Sequence, residues 1–485
     1  MDSEQRRGIV ENAKYLRNVR PIDPEEIHEY VEGQPHPAVV RTVLREEAPE
    51  LGLLENADGT FEPVPDEPAE PPFSGVERLP EPYSLQLEDL LVGEYGPGWH
   101  RGDSGDRLRQ VIRRLKEDYY YQNPVEYDFE AALGYAIYHL PDYYAASQYV
   151  LDELGGMGLL SRNLRVLDVG AGVGGPALGL YDYLGDEVLV DYHAVEPSDA
   201  TQVLERMLDE TGRNFHPTIH HTTAEAFDPD GEYDLVVFAN VLSELDDPEA
   251  VVRRFLPHLA ENGSLVAIAP ADENTSTGLR EVERTLDDDL TVFSPTLRLW
   301  PGESPTDYGW SFVVQPDLEL PPFQRQLDEA TSDTDDHESG DDHHDPGDDH
   351  HDPGEFINVD VQYSHATLRP DGERRLDVTG NLARFAKMAD ANSYVTERVD
   401  LLGVKLSHDL AEGEGNPLFK VSDGSERVGH FAVLTRETAL NRDLQTAAYG
   451  DLLVFESVLA LWNDDEEAYN LVVDDETIVD RVPAP

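Results

Sequence analysis

Cysteine is absent from the 485 residues, so disulfides, thiolate nucleophiles, Cys-ligated zinc and iron–sulfur clusters are closed to this chain. Lysine is nearly absent: Lys14, Lys116, Lys387, Lys405 and Lys420 are the whole set, and arginine supplies the other positive charges. No apolar run reaches the roughly 18 residues needed to cross a bilayer. The opening MDSEQRRGIVENAKYLR lacks the uninterrupted apolar segment of a signal peptide. Positive charge is scarce overall, 36 Lys plus Arg against 100 Asp plus Glu, for a formal charge of −64. That balance argues against broad electrostatic attraction to nucleic acid or to an anionic membrane in dilute buffer.

What is present suffices for several cores. Apolar residues make up 39% of a length that fits about three domains of roughly 150 residues, so wholesale disorder is not expected. The acidity is spread along the chain. Thr331 to Glu355 holds eleven acids and no Lys or Arg, yet a charge of −53 remains on the other 460 residues. A uniformly acidic, lysine-poor surface suits solubility in concentrated salt, where repulsion is screened within about 3 Å at 1 M. We read it as the mark of a halophile's cytoplasmic protein.

Residues 1–66 predict a small winged-helix-like domain. Ile9, Ala13, Leu16 and Val19 recur at helical spacing, Asp23-Pro24-Glu25-Glu26 opens a second helix, and a third runs from Pro37 to Ala48. Leu51 to Leu54, the turn Asn56 to Gly59 and Phe61 to Val64 then form a hairpin. An equally good reading is a helical appendage without nucleic-acid contacts. Residues 67–100 are expected as an acidic linker, with proline densest in 65–82 (PDEPAEPPFSGVERLPEP). From Asp106 a helix gathers Arg107, Arg109, Arg113, Arg114 and Lys116, which either meet phosphates or pair with acids on neighbouring elements.

Residues 101–392 predict the central α/β domain, with a helical segment at 127–160. Within it, 331–355 is a low-complexity insertion in which DDHHDPG occurs twice, at 341–347 and 348–354. His337, His343, His344, His350 and His351 are possible metal ligands, but charge and Gly/Pro content favour a solvated, disordered insertion, and no metal site is expected. Phe356 to Val361 then resumes as a strand, so the run bulges from a hairpin. Residues 393–485 predict an OB-like β-barrel: five short strands at 400–407, 417–421, 427–434, 451–459 and 469–474, with a helix at 438–448 between the third and fourth. Phe419, Phe431, Phe455, Trp462 and Tyr469 are aromatics of the kind that stack on single-stranded nucleic acid, although several must be core.

The strongest motif is Arg165-Val166-Leu167-Asp168-Val169-Gly170-Ala171-Gly172-Val173-Gly174-Gly175, a buried strand running into a glycine turn and a helix. Glycines let the backbone approach a nucleotide closely where a Cβ would clash. A second strand, Tyr192 to Glu196, ends in an acid placed for ribose hydroxyls. Gly170, Gly172 and Gly175 also satisfy the dinucleotide fingerprint, so NAD or FAD competes with S-adenosylmethionine. Three features favour S-adenosylmethionine. Asp168 precedes the first glycine by two residues, where its carboxylate can meet the cofactor's ammonium; Thr222 to Phe227, with Thr223, Ala224 and Glu225, falls where an adenine edge would lie; and Tyr233 to Asn240 is a fourth strand leading into Val241 to Leu245. A helix at 248–260 and a strand at 263–269 follow.

VLDVGAGVGG, HAVEPS (with Glu196-Pro197) and YDLVVFANVLSEL at these spacings resemble a class I S-adenosylmethionine-dependent methyltransferase domain, Rossmann-like in fold. YAIYHLPDYYAASQYVLDEL (135–154), VLSEL (241–245) and FINVDVQYSHATLR are similar to the Rsm22 family, methyltransferase-like proteins of the small ribosomal subunit. The resemblance covers about 120–375. It implies S-adenosylmethionine held by Asp168, Gly170, Gly172, Gly174, Glu196, Pro197, Thr223, Ala224, Glu225 and Asn240, and a small ribosomal subunit or rRNA partner. Mitochondrial and many bacterial members of that family carry a cysteine cluster after the fifth strand for an iron–sulfur centre. Between Phe293 and Phe312 this chain has serines instead, so no cluster is expected, and packing around Trp300, Trp310 and Phe312 takes its place.

The reaction is less legible. Cytosine C5 methylation needs a cysteine adduct, and Asn240-Val241-Leu242-Ser243 lacks the paired prolines of exocyclic-amine methylases. Glu244 is a weak candidate base or substrate-orienting group, with a capping or packing role as the plainer alternative. Three functions stand: a methyltransferase acting on rRNA or a ribosomal protein, a non-catalytic cofactor-binding assembly factor, and a small-molecule methyltransferase.

Overall fold

The computed structural model describes residues 3–295, 298–306, 310–330, 353–381, 383–411, 413 and 415–483. The chain divides into two compact units, Met1–Leu235 with Pro316–Val361, and Val236–Gln315 with Gln362–Pro485.

The first unit begins with α1 (Ser3–Leu16), α2 (Pro24–Tyr30), α3 (Pro37–Glu46) and the single turn α4 (Ala48–Leu51), followed by an antiparallel hairpin of β1 (Leu53–Glu55) and β2 (Phe61–Pro63). Asp23 caps α2 by accepting from the Glu25 N–H, and Pro24 and Pro37 stand in first turns, where a missing N–H costs nothing. Ile9, Ala13, Ile27, Val40, Leu44 and Phe61 close a shared core, which Leu189 also enters. Val19 lies beyond the end of α1 and is exposed, so the helical spacing overran the helix. Glu55 is buried; its carboxylate accepts from Arg41 Nε (2.6 Å) and Arg45 Nε (2.7 Å), and its N–H donates to Asn214 Oδ1 at 2.8 Å.

The expected linker is structured. Residues 65–80 have no regular secondary structure but pack on the unit, with Phe73 edge-on to Tyr149 and Tyr183 and the Val76 N–H donating to Tyr149 Oη at 3.1 Å. Residues 81–95 form α5 (Glu81–Tyr95), because Tyr83, Leu87 and Leu91 recur every four residues and are buried. Composition hid that stripe.

α6 (Gly102–Tyr121) and α7 (Phe129–Gly155) follow. The basic cluster of α6 is largely engaged inside the unit. Arg109 is buried and donates to Leu327 O, Arg113 is paired with Glu355, and Lys116 donates to Glu355 O while lying 4.1 Å from the Tyr138 ring centroid. α7 contains Pro141, which removes the N–H that would reach Ile137 O. Gln324 Nε2 supplies the missing donor at 2.8 Å, and Asn358 Nδ2 donates to Tyr138 O at 3.1 Å.

β3 (Asn163–Val169), α8 (Gly175–Leu184), β4 (Leu189–Val195), α9 (Ala200–Leu208) and β5 (Phe215–His220) build three parallel strands in the order β5-β4-β3. Val169 pairs with Val195 and Val195 with His220, so the three carboxyl ends lie in line. α8 packs so closely on α7 that a Cβ on Gly179 would lie 2.5 Å from Tyr144 O. β6 (Tyr233–Ala239) carries the chain into the second unit.

There α10 (Pro248–Phe255), β7 (Leu259–Pro270), α11 (Glu273–Thr285), β8 (Thr291–Ser294) and β9 (Val313–Gln315) follow; α12 (Pro322–Glu329) belongs to the first unit and β10 (Val361–Arg369) returns to the second. Their strands order as β6-β7-β10-β8, with β9 on β10, and β10 is antiparallel to β7 and β8. The helix expected to 260 stops at Phe255, before Pro257. The strand expected from Phe356 starts at Val361, because side chains take the N–H groups before it: Phe356 donates to Asp328 and Asn358 to Gln324 Oε1. The His-rich insertion and the hairpin bulge drawn from it lie outside the described residues, apart from residues 353–355.

β11 (Arg398–Lys405), β12 (Leu418–Ser422), β13 (His430–Leu434), α13 (Asp443–Thr446), β14 (Leu452–Asn463), β15 (Ala468–Val473) and β16 (Ile478–Arg481) complete the chain. The order β11-β12-β13-β15-β14 closes through β11–β14 pairing into a five-stranded barrel, with β13 parallel to β15. This is OB order. The helix expected at 438–448 is cut to four residues, since the buried Asn441 amide caps a turn by joining Thr438 N, Arg436 O and Asp474 O. Phe419 and Phe455 are core, while Trp462 is exposed against Tyr469.

Where cysteines had been the point of comparison, Ser294 and Ser311 are buried. Ser311 Oγ meets Tyr449 Oη at 2.7 Å and donates to Leu406 O, and Ser276 and Ser364 both donate to Ser311 O. Trp300 donates to Asp423 Oδ2 at 2.7 Å, Phe312 is buried, and the partly exposed Trp310 packs on it with ring centroids 5.2 Å apart.

Candidate cofactor site

Buried β3 delivers Asp168 to its carboxyl end, and the chain then turns through Gly170, Gly172 and Gly174 at φ of 76°, 53° and 95°. Residues with a Cβ rarely adopt these values. The turn is tied to β4: the N–H groups of Gly170 and Ala171 donate to Val195 O, and Gly172 N–H donates to Glu196 Oε2 at 2.9 Å. Glu196 Oε1 accepts from Ser198 N–H (3.0 Å) and Ser198 Oγ (2.6 Å). A Cβ on Gly172 would meet nothing nearer than Gly170 O at 4.0 Å. Packing therefore does not demand glycine there; the open space above the turn is a cradle that a side chain would fill.

Asp168 is 1% exposed. Its Oδ2 accepts from Tyr192 Oη, and its Oδ1 is buried without a hydrogen-bond partner. Burial pushes its carboxyl up, Tyr192 opposes, and nearby Glu196 adds to the rise, leaving it at about 7. A cationic group beside Oδ1 would reverse that cost, which fits an ammonium.

Asp168, Gly170, Gly172, Gly174 and Glu196 come together as expected, and exposed Pro197 continues from Glu196. Thr223, Ala224 and Glu225 form the turn after β5, where Thr223 Oγ1 accepts from Ala226 N–H at 3.3 Å. Asn240 belongs to the second unit. It ends β6 at φ 58°, its N–H donates to Ile268 O, and both polar atoms of its amide are buried without a partner. Glu244 is exposed at the end of a 3₁₀ turn, Leu242–Glu244. Sequence reasoning missed Tyr192 and Ser198, which hold the two acids. Tyr192 carries a period-two signal, because it faces Asp168 across paired strands two positions before Ala194.

The family model described as Methyltransferase domain matches residues 141–312. Residues 141–312 are a methyltransferase domain. The fold there is the Rossmann-like one of methyltransferase domains. On either side, the N-terminal and C-terminal models of a domain of unknown function, DUF8157, match residues 6–57 and 389–482.

None of the curated proteins matches. Solved structures that do include the plantazolicin methyltransferase BpumL with S-adenosylhomocysteine, at 9% identity over 59% of this chain and 98% of that one, TM-score 0.29. A glycopeptide N-methyltransferase, MtfA, complexed with S-adenosylmethionine aligns at 20% identity over 26% and 56%, TM-score 0.23. The magnesium protoporphyrin IX methyltransferase of Synechocystis PCC 6803 aligns at 13% over 43% and 87%, TM-score 0.26. The chain spans about half the length of the first structures it matches, 49% of one and 56% of the next.

Proposed function

We propose that the chain transfers the methyl group of S-adenosylmethionine to a component of the small ribosomal subunit, rRNA or a ribosomal protein, in the cytoplasm of a halophilic archaeon. The observation that carries methyl transfer is the glycine cradle with Asp168 Oδ1 left unpartnered at its base. S-adenosylmethionine supplies an electrophilic methyl group. Asp168 takes its ammonium. Glu196 has three of roughly four acceptor positions engaged by Gly172 and Ser198, which leaves one for a ribose hydroxyl. The turn at 223–225 would edge the adenine. Alignment of the acceptor and exclusion of water do the rest.

The macromolecular acceptor is supported by the resemblance to the Rsm22 family and by the barrel's OB order with Trp462 exposed. Binding to RNA in a salty cytoplasm would rest on shape and stacking, since bulk charge is screened. The test is mass mapping of small-subunit RNA and protein from a deletion strain. A missing methyl group that wild type restores and Gly172→Arg does not supports the proposal. Full methylation with immature subunits favours the assembly factor, and label found only in low-mass compounds favours a small-molecule enzyme. Gly172→Arg should also abolish calorimetric binding of S-adenosylmethionine; unchanged affinity sinks the cofactor site.

A further inference from the structure

His139 and Asp142 stand one turn apart on α7. His139 Nδ1 lies 3.2 Å from Asp142 Oδ2. The other groups at that carboxylate donate to it: Tyr143 N–H to Oδ1 at 2.9 Å, and Asn358 Nδ2 to Oδ2 at 2.9 Å. A carboxylate surrounded by donors acts as an acceptor. The shorter of the two contacts at Nδ1, to Asp142 at 3.2 Å against 3.4 Å to Asn358 Nδ2, is satisfied when Nδ1 donates, which puts the lone pair on Nε2. Among the described residues no hydrogen bond reaches Nε2, and the atom is not sealed from solvent.

The ring is part of a row of aromatic rings on α7 and the segment before it. His139 stacks on Tyr143 (5.3 Å between centroids, 16° between planes) and lies 5.0 Å from Tyr135, which lies 5.8 Å from Tyr127. At one end, Tyr143 Cβ is 3.3 Å from where a Cβ on Gly175 would stand, at the start of α8. At the other, Tyr127 O accepts the N–H of Asp199, three residues past Glu196. His139 thus belongs to a row of rings whose one end touches the start of α8 and whose other end touches the segment that follows the ribose-binding acid.

We propose that His139 is the general base of methyl transfer, with Asp142 as its positioning residue. This deepens the methyl-transfer reading above and rests on it. The acceptor's hydroxyl or amine uses a lone pair to form a bond to the methyl carbon. The sulfur–methyl bond breaks with its electrons staying on sulfur, giving S-adenosylhomocysteine, and the acceptor's proton moves to His139 Nε2 and then to water. Asn358, which also donates to Tyr138 O beside the proline, holds Asp142 against the imidazole. The titratable groups facing it are Asp142, Tyr135, Tyr138 and Tyr143 on α7 and Tyr119 on α6, with Lys116 over Tyr138. Burial keeps the phenols of Tyr135 and Tyr138 protonated, the latter pushed up to about 12, so neither competes as the base near neutrality.

The test uses the full chain in concentrated salt, tritiated S-adenosylmethionine and the heat-treated extract of a strain lacking the protein as acceptor pool. His139→Gln should lower transfer by about 10²- to 10⁴-fold. It should also flatten the limb that rises with pH and leave S-adenosylhomocysteine affinity within about twofold. Asp142→Asn should lower transfer less and disturb the same limb. Wild-type transfer by His139→Gln overturns the proposal, and so does a loss matched by lost cofactor affinity, which would mark a packing role. Nitrogen NMR of the histidines needs no acceptor. The His139 resonances, assigned by their absence in His139→Gln, should report an unprotonated Nε2 that shifts with S-adenosylhomocysteine. A signal unmoved at saturation overturns the assignment, whereas a wild-type chain that binds no S-adenosylhomocysteine overturns the methyl-transfer reading itself.

Discussion

Replacing Asp168 with asparagine should stabilise the empty protein at pH 8 while costing it the cofactor. In the unfolded chain this carboxyl gives up its proton near its ordinary value of 3.8; in the fold, burial holds the proton until about 7. Between those values the folded state binds more protons than the unfolded one, so this group's contribution falls as pH rises from 4 to 7 and is flat above. The gap of about three pH units corresponds to about 4 kcal/mol as a ceiling. The asparagine amide has no proton to lose, and its oxygen still accepts from Tyr192. Urea unfolding at fixed high salt should therefore show variant and wild type alike near pH 4, diverging to a clear advantage for the variant at pH 8. Cofactor binding should run the other way. An ammonium beside Oδ1 ionises Asp168, so binding at pH 6 should release close to one proton, seen by calorimetry in buffers of different ionisation enthalpy. The variant should release none and bind about 10- to 150-fold more weakly, the worth of one charged hydrogen bond. Parallel stability curves between pH 4 and 8, or proton release preserved in Asp168→Asn, would refute the reasoning.

Other changes probe the supporting structure. Gln324→Leu should cost about 1–3 kcal/mol in urea unfolding, because Ile137 O loses its donor while buried; Gln324→Glu, retaining no amide hydrogens, should be no better. Gly179→Ala should cost at least about 1–3 kcal/mol, since its Cβ would lie 2.5 Å from a backbone carbonyl and α8 would have to move off α7. Burial raises Glu55, but hydrogen bonds from Arg45 and Arg41 outweigh it and leave its pKa lowered. Its stabilisation is therefore present above its ordinary value of 4.5 and lost as pH falls through the lowered one. In Glu55→Gln the stability difference from wild type should shrink on acidification; a difference constant from pH 7 to pH 3 contradicts this.

The cradle was legible because its parts are close in sequence and each obeys a local rule: buried strand, glycines at positive φ, acid at the next strand's end. The barrel was legible because alternation and turn spacing are also local. What escaped notice depends on residues far apart. Asp142 and His139 read as ordinary helix positions until Asn358, more than two hundred residues later, is placed against them. α5 was masked by the prolines around it, although Tyr83, Leu87 and Leu91 marked its buried face. The basic run on α6 invited a phosphate, yet Arg109, Arg113 and Lys116 answer to Leu327 and Glu355, partners that only folding supplies.

The proline break in α7 has a consequence for how the nascent chain matures. Its carbonyls are made early, but Gln324 and Asn358, which satisfy them, arrive only after β6 to β9 have been synthesised. At ordinary elongation rates the interval is on the order of ten seconds. During it the helix beneath the glycine turn stays open to water, and the first unit cannot reach its final packing. Completion of the early-made cradle is thus timed by a late-made segment, and a chain that stops before Pro316 should hold the whole cradle sequence without the order to use it.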